Sequence, residues 1–510
     1  MGKLKPYLPF VTDETPLSWA TRMATFHTGG RLVPFLNDMG VNYQEFAKGA
    51  PEALMALCEI AGQDVEPVAH NAVRRTGHRT YVFRGTSLSA EDLCSPKTRF
   101  CPACLAQDSQ SSLSMHAARR CRLDWRFAAV RTCFVHTMPL IDRRSSQWDA
   151  MLGELPVLVT ETDAELEEQA VQQGERVVSP LQTYVLRRLD GERDHPWLDS
   201  MSLELATKVT EKLGAVLEFG TKARPWDLSE DDWDAAGATG WKFTAAGPEG
   251  VRNALSMLQR KAMDSGQGGL VKTDIFGMTH AWLSAKRNTK VLEPVRSLFR
   301  AHYLATMQAI PGDLIFGEPV KAPQFSSLET IARLEKVDVR TFRNLLIGKG
   351  ILSKSSLVGG QGVLREQVPY GLGVSAANEM KRSVAAPEGM QMLNASRPIW
   401  KILIEQRYLV PIAEGGEHAT VRCKAIDVRQ ITKLTARLEK LALPVDQIDN
   451  HFRTLAKCAE ISRLPLTEII PALLSKRFKT VQRLTSEVGF KAILLDPKEV
   501  GQLLERRSNG

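Results

Sequence analysis

The sequence predicts a mainly α-helical, multidomain protein. A small Cys3His zinc-binding module is inserted between helical regions, and tandem helix-turn-helix units follow it. Three observations carry this prediction: two paired metal-ligand knuckles, helical hydrophobic periodicity through the middle of the chain, and a helix–turn–helix scheme that recurs in the last third. The 510 residues suffice for several domains, each with its own core. A composition of 43% hydrophobic and 24% charged residues is that of an ordinary soluble protein. The net charge of +8 favours an acidic partner such as nucleic acid, but modestly, because the surplus reads as spread over a long chain.

Residues 1–94 read as short helices after an extended opening. Thr15 or Asp13 caps a helix that starts at Pro16 and carries Leu17, Trp19, Ala20 and Met23. Trp19 is assigned to the core, while Glu14 and Arg22 are the exposed candidates for a contact. The opening MGKLKPYLPF has an apolar segment too short and too broken by proline for a signal peptide. No run approaches the length of a membrane span, so a soluble, cytoplasmic protein is expected. Eight cysteines are too few for a disulfide framework and fit a reducing compartment.

Residues 95–145 form the expected zinc module. Cys101 and Cys104 make a C-x-x-C knuckle, and Cys133 and His136 make a C-x-x-H knuckle. Two residues between ligands let a tight turn aim both side chains at one ion. The two pairs complete a tetrahedral Cys3His set suited to Zn2+, with every position filled by protein and none left for a catalytic water. Cys58, Cys94, Cys121, Cys423 and Cys458 lie outside the set and read as small buried residues, with Cys94 and Cys121 as spare ligands. Between the knuckles Arg119, Arg120, Arg122, Arg126 and Arg131 face only Asp124, and Arg143 and Arg144 follow. Two readings stand side by side: phosphate or partner contact by Arg groups beside Trp125, or a solvated rim over a buried Trp125.

Residues 146–320 read as helical. Leu203, Leu205, Val209, Leu213 and Leu217 mark one helix, stopped by Gly220. Gly237, Gly240, Gly247 and Gly250 are expected to break the next segment into turns. The acidic run Glu161–Glu175 reads as a solvated face or a mobile loop, and Asp231, Asp232 and Asp234 as a solvent-facing loop.

The first helix-turn-helix spans 321–358. Ser326 or Ser327 caps a helix with Leu328, Ile331, Ala332 and Leu334 inward. Asp338 caps a second helix with Phe342, Leu345 and Leu346 inward and Arg340, Thr341, Arg343 and Asn344 outward. Such a second helix reads base edges in the major groove, whereas a bare αα-hairpin would use the same core. After a Gly-rich linker at 359–373, residues 374–415 repeat the scheme. Ile399, Ile402 and Leu403 stand for Phe342, Leu345 and Leu346, and Arg397 and Lys401 point outward. A third copy at 440–485 has Leu455, Ile461, Ile469, Leu473 and Leu474 inward and Lys476 and Arg477 at its basic end. Pro471 sits awkwardly inside its second helix. A helix and tail occupy 486–510. No phosphate-cradling G-x-x-x-x-G-K-[ST] loop and no nucleophile motif occurs, so no enzyme is expected.

The arrangement CPAC…W…VRTC-x-x-H-x-x-PL, with Arg122, Trp125, Cys133, His136 and Leu140, resembles the TniQ family of bacterial transposition proteins, which includes the TnsD-type target selectors. The opening PFVTDETPLSWATRMA, with Glu14, Ser18, Trp19 and Arg22, is similar to the family's opening. GWKFTAAGPEGVRNAL and DIFGMTHAWL also resemble family segments. The resemblance implies a non-catalytic protein that marks an insertion site on double-stranded DNA. It also implies recruitment of an AAA+ transposition ATPase of the TnsC/TniB kind through the N-terminal part. In a second variant the chain docks on an RNA-guided, Cascade-like CRISPR effector, often as a homodimer. A reading of another class is a zinc-containing transcriptional regulator, which would need a symmetric dimer on a palindrome.

Overall fold

The structure, a computed structural model, describes residues 3–144, 154–264, 272–285, 289–352, 367–413 and 424–508. Cys423 and linker residues 359–366 lie outside the described residues. The fold is mainly α, and the chain divides into two compact units, Met1–His302 with Ile315–Gly317 and Tyr303–Leu314 with Glu318–Gly510. Among the described residues no helix is long and apolar enough to cross a membrane.

In the first unit α1 (Pro16–Thr28) opens on the expected cap: the Ser18 amide donates to Thr15 Oγ1 at 3.0 Å. Trp19 is fully buried, and its indole N–H donates to the Leu8 carbonyl at 3.1 Å. Short helices at Leu32–Asp38, Pro51–Ala61 and Val65–His70 close one core around it. The all-helical expectation fails at β1 (Arg74–Gly77), β2 (Thr80–Phe83) and β3 (Thr86–Ser89), an antiparallel meander. Its first strand is exposed throughout and carries no alternating apolar residues, so it left no period-two signal.

β4 (Thr98–Phe100) leads through Cys101 into α2 (Pro102–Ser109), and β5 (Ile141–Arg143) returns antiparallel to β4, pairing Phe100 with Ile141. The acidic run forms α3 (Asp163–Gln173), closed by a Thr162–Glu165 capping box, with Leu166 fully buried. α4 (Pro180–Leu189) and α5 (Leu203–Phe219) follow, α5 ending at Gly220 as the periodicity predicts.

α6 (Glu230–Thr244) corrects two expectations. Asp231 and Asp232 form the first turn of this helix, after the Ser229 cap, where carboxylates suit the helix dipole. Gly237 and Gly240 lie inside it rather than in turns. A Cβ on Gly240 would stand 1.9 Å from the Thr210 carbonyl oxygen, and one on Gly214 of α5 would stand 1.8 Å from that of Ala236. These glycines let two helix backbones touch; only Gly247, at φ +69°, has the turn conformation the sequence suggested for all four.

The second unit is a threefold repeat of strand, helix, turn, helix, strand and helix. Copy one is β6 (Phe325–Ser327), α7 (Leu328–Leu334), α8 (Val339–Gly348), β7 (Gln367–Pro369) and α9 (Tyr370–Lys381). Copy two is β8 (Ser383–Val384), α10 (Ala386–Leu393), α11 (Arg397–Glu405), β9 (Ile426–Asp427) and α12 (Val428–Leu441). After β10 (Leu443–Val445), copy three is β11 (Arg453–Thr454), α13 (Leu455–Ser462), α14 (Leu466–Leu474), β12 (Val481–Leu484), β13 (Ile493–Leu495) and α15 (Pro497–Ser508). In each copy the opening strand pairs antiparallel with the strand before the last helix: β6 with β7, β8 with β9, β11 with β13. The last helix was missed as part of the motif; α9 packs on α7 and runs through residue 374, where the sequence placed the start of the second unit.

Candidate functional site

The four metal-ligand candidates converge. One donor atom from each of Cys101, Cys104, Cys133 and His136 lies within 4.8 Å of every other. Cys104 Sγ is 3.6 Å from Cys133 Sγ, and His136 Nδ1 is 3.6, 3.2 and 3.8 Å from the sulfurs of Cys101, Cys104 and Cys133. A tetrahedral ion with Zn–S near 2.3 Å and Zn–N near 2.05 Å requires edges of about 3.8 Å between sulfurs and about 3.6 Å from sulfur to nitrogen. The donor set therefore fits a tetrahedral metal ion. The turns aim it: Cys101 caps α2 with Pro102 in the first turn, while the Thr137 amide donates to the Cys133 carbonyl at 2.9 Å and Thr137 takes φ +47°. The thiols also interact with one another. Hydrogen bonds with Cys101 and Cys133, then burial, push the Cys104 thiol up, and hydrogen bonds with Cys101 and Cys104 hold Cys133 down. Cys94 and Cys121, the spare candidates, are outside this cluster.

Glu14 and Arg22 are not exposed, as the sequence suggested. They are 0% and 5% exposed and form an ion pair at 2.7 Å. Arg22 Nε donates to the Ala117 carbonyl at 2.8 Å, and the Cys121 amide donates to Ser18 Oγ at 2.9 Å. The motif ties α1 to the segment between the knuckles. Burial pushes the Glu14 carboxyl up to about 7, against the pull of Arg22.

Four of the arginines between the knuckles, Arg119, Arg120, Arg122 and Arg131, meet carboxylates of the fold. Asp108, buried beneath Arg120 and Arg122, pairs with both at 2.9 and 2.7 Å. Arg119 is buried and donates to Asp163 at 2.8 Å; Arg131 meets Glu211 at 2.7 Å and Glu230 at 2.9 Å. Arg126 is half-buried. Trp125 is buried, with the Arg122 guanidinium 5.2 Å from its ring. No local signal reveals these partners. All but Asp108 sit 44 to 99 residues away from the arginines they meet.

In the second unit Phe342, Leu345 and Leu346 are buried, as are Ile399, Ile402 and Leu403. Ser327 and Asp338 cap α7 and α8; Leu328, Ile331 and Ala332 face inward as expected, but Leu334, at the end of α7, is 43% exposed. Arg340, Arg397, Lys401, Lys476 and Arg477 are exposed, and Thr341, Arg343 and Asn344 are half-buried. Trp400 belongs to the core, against Gly389. Ile461 is 52% exposed, and Cys458 and Ile470 take the inward places it was expected to share.

Sequence reading missed the turn residues. Lys336, Asn394 and Arg463 take left-handed φ values of 54°, 48° and 56° between the two helices of each copy. Gly350, Arg407 and Lys476 do so after the second helix, at 71°, 59° and 63°. Two residues later each chain turns a side chain inward: Leu352, Leu409 and Phe478. Glycine marks only one of the six positions, so the repeat carries little glycine punctuation.

The charge is not spread along the chain. The first unit holds 36 Lys and Arg against 37 Asp and Glu, whereas the second holds 30 against 21. The whole positive surplus lies with the helix-turn-helix copies.

No curated protein matches the chain. Residues 6–140 match the TniQ family model, a span that runs from the start of the N-terminal core through both knuckles. This span, about a quarter of the chain, is a TniQ domain.

Proposed function

We propose that this is a non-catalytic targeting protein of DNA transposition. The second unit binds double-stranded DNA at the insertion site, and the TniQ domain recruits the AAA+ ATPase that regulates the transposase. The observation that carries the reading is the coincidence of the repeated helix-turn-helix scheme with the chain's entire positive surplus. Cys101, Cys104, Cys133 and His136 would hold Zn2+, which suits three thiolates and an imidazole and would fix the two knuckles as one body. All four donors come from protein, which supports a structural role for the ion. Arg119, Arg120, Arg122 and Arg131 between the knuckles are already engaged by carboxylates, which supports placing DNA contact in the second unit and leaving the TniQ domain for a protein partner.

The test is recovery of sheared genomic DNA on the purified full-length protein across rising salt, followed by sequencing. A site-reading protein holds one locus after the counterion-driven background has gone. Binding with no enriched sequence at any salt overturns direct reading. It would put in its place the variant in which the chain docks on an RNA-guided effector.

A further inference from the structure

The three copies do not present their second helices alike. Buried residues number three of ten in α8 (Phe342, Leu345, Leu346) and four of nine in α11 (Ile399, Trp400, Ile402, Leu403). In α14 they number five of nine. A helix that enters the major groove needs one free face with hydrogen-bond donors and no charge repelling the phosphates. α8 offers Arg340 and Asn344, and α11 offers Arg397 and Lys401 in its first turns, with Glu405 at its far end, 3.6 Å from Lys401. α14 has no Lys or Arg, and Glu468 stands in its first turn.

The face that α14 lacks for DNA is turned on copy two. Copies two and three share one apolar core, in which α11 and α14 pack together, whereas the helices of copy one pack in another core, around Phe342, that takes Ile412, Ala413 and Ala425 from copy two. Pro471 explains part of the join. It has no N–H to give to the carbonyl four residues back, Thr467, and Gln406 at the end of α11 donates to that carbonyl instead, at 3.0 Å. The proline that looks like a defect inside the helix thus frees an acceptor for the neighbouring copy. Arg437 of α12 donates to the Leu474 carbonyl at the other end of α14. Gly489 lies so close to Leu393 at the end of α10 that a Cβ would stand 1.9 Å from its carbonyl oxygen.

We infer that the second unit reads DNA with two helices, α8 and α11, and that the third copy is a brace for α11. The third copy meets DNA only at the phosphate backbone, through Lys476 and Arg477 beyond the end of α14. This inference rests on the DNA-binding function proposed above.

The test uses the full-length protein and two duplexes: one selected by the wild-type protein from a randomised pool, and its shuffled counterpart. Dissociation constants for both are measured at four salt concentrations, with each variant's thermal unfolding as a check on folding. Arg340→Ala with Asn344→Ala, and separately Arg397→Ala with Lys401→Ala, should lower the ratio of selected to shuffled affinity at least fivefold. Thr467→Ala with Glu468→Ala should leave that ratio within twofold. Lys476→Ala with Arg477→Ala should weaken both duplexes equally and reduce the salt slope by about 1.8, at about 0.9 per phosphate contact. A fivefold loss of selectivity in the Thr467 and Glu468 variant overturns the inference while leaving the DNA-binding function standing. A wild-type protein that selects no sequence refutes direct reading itself, and the two-helix assignment with it.

Discussion

Asp108→Asn tests whether the arginines between the knuckles are internal counterions rather than a DNA surface. Oδ1 of Asp108 accepts from Arg120 Nε at 3.3 Å, Arg120 Nη2 at 2.9 Å and Arg122 Nη2 at 3.0 Å. Oδ2 accepts from the Arg120 amide at 3.0 Å and Arg122 Nη1 at 2.7 Å. An asparagine can offer one oxygen only. Whichever way the amide turns, its NH2 faces at least two donors, and two guanidiniums that are 20% and 14% exposed lose their shared anion. Hydrogen bonds to charged groups contribute about 1.5–3 kcal/mol each, and removing one partner of a buried pair costs about 3–5 kcal/mol. Asp13, 2.9 Å from Arg120 and 3.6 Å from Arg122, retains part of the interaction, which places the expected loss near the lower bound, about 3 kcal/mol. The assay is urea unfolding followed through tryptophan fluorescence, with Trp125 stacked beside Arg122 as an internal reporter. DNA affinity is measured in parallel. A loss below about 1 kcal/mol, the range of surface pairs, would refute the buried-counterion account. So would a gain in DNA affinity large enough to show that the freed arginines reach phosphate.

Three further outcomes follow from the same geometry. Purified wild-type protein should hold one zinc ion per chain by atomic emission and Cys104→Ser should hold none; equal zinc in both would remove Cys104 from the ligand set. Gly240→Ala should lower the melting temperature by the equivalent of about 2 kcal/mol or more, because its Cβ would meet the Thr210 carbonyl at 1.9 Å. Helix propensity alone predicts a gain of about 1 kcal/mol, so a stabilised variant would sink the backbone-contact argument. Burial raises the Glu14 carboxyl to about 7, so the native state holds a proton there that the unfolded chain, near 4.3, releases earlier. Its contribution is full below about pH 4 and lost as pH rises to about 7, a fall of about 3 kcal/mol. Glu14→Gln should flatten that part of the stability profile, and an unchanged slope would mean that Glu14 does not titrate there.

The Cys3His cluster was legible in the sequence because its spacing is local. Two residues between ligands dictate a turn, and Cys and His at those spacings have few other uses, so Cys101, Cys104, Cys133 and His136 needed only to be brought together. The helix caps at Thr15, Ser327 and Asp338 and the inward faces of α8 and α11 were legible for the same reason: a cap acts over three residues and an apolar face over four. Charge partnership has no such range. Asp163, Glu211 and Glu230 reach Arg119 and Arg131 only because α3, α5 and α6 fold against the knuckle segment, and a run of arginines looks the same whether solvent or carboxylates face it. Glycine is equally ambiguous alone. Gly240 in α6 and Gly247 after it are one residue type in one stretch, yet one permits a helix crossing and the other a left-handed turn. The sequence by itself determined the Cys3His set, the helical class and the recurrence of the helix pairs. Only the tertiary structure decided which cations are engaged within the fold, which strand and helix close each repeat, and that α14 spends its surface on α11. Those outcomes depend on which surfaces meet, and residues far apart in the chain set them together.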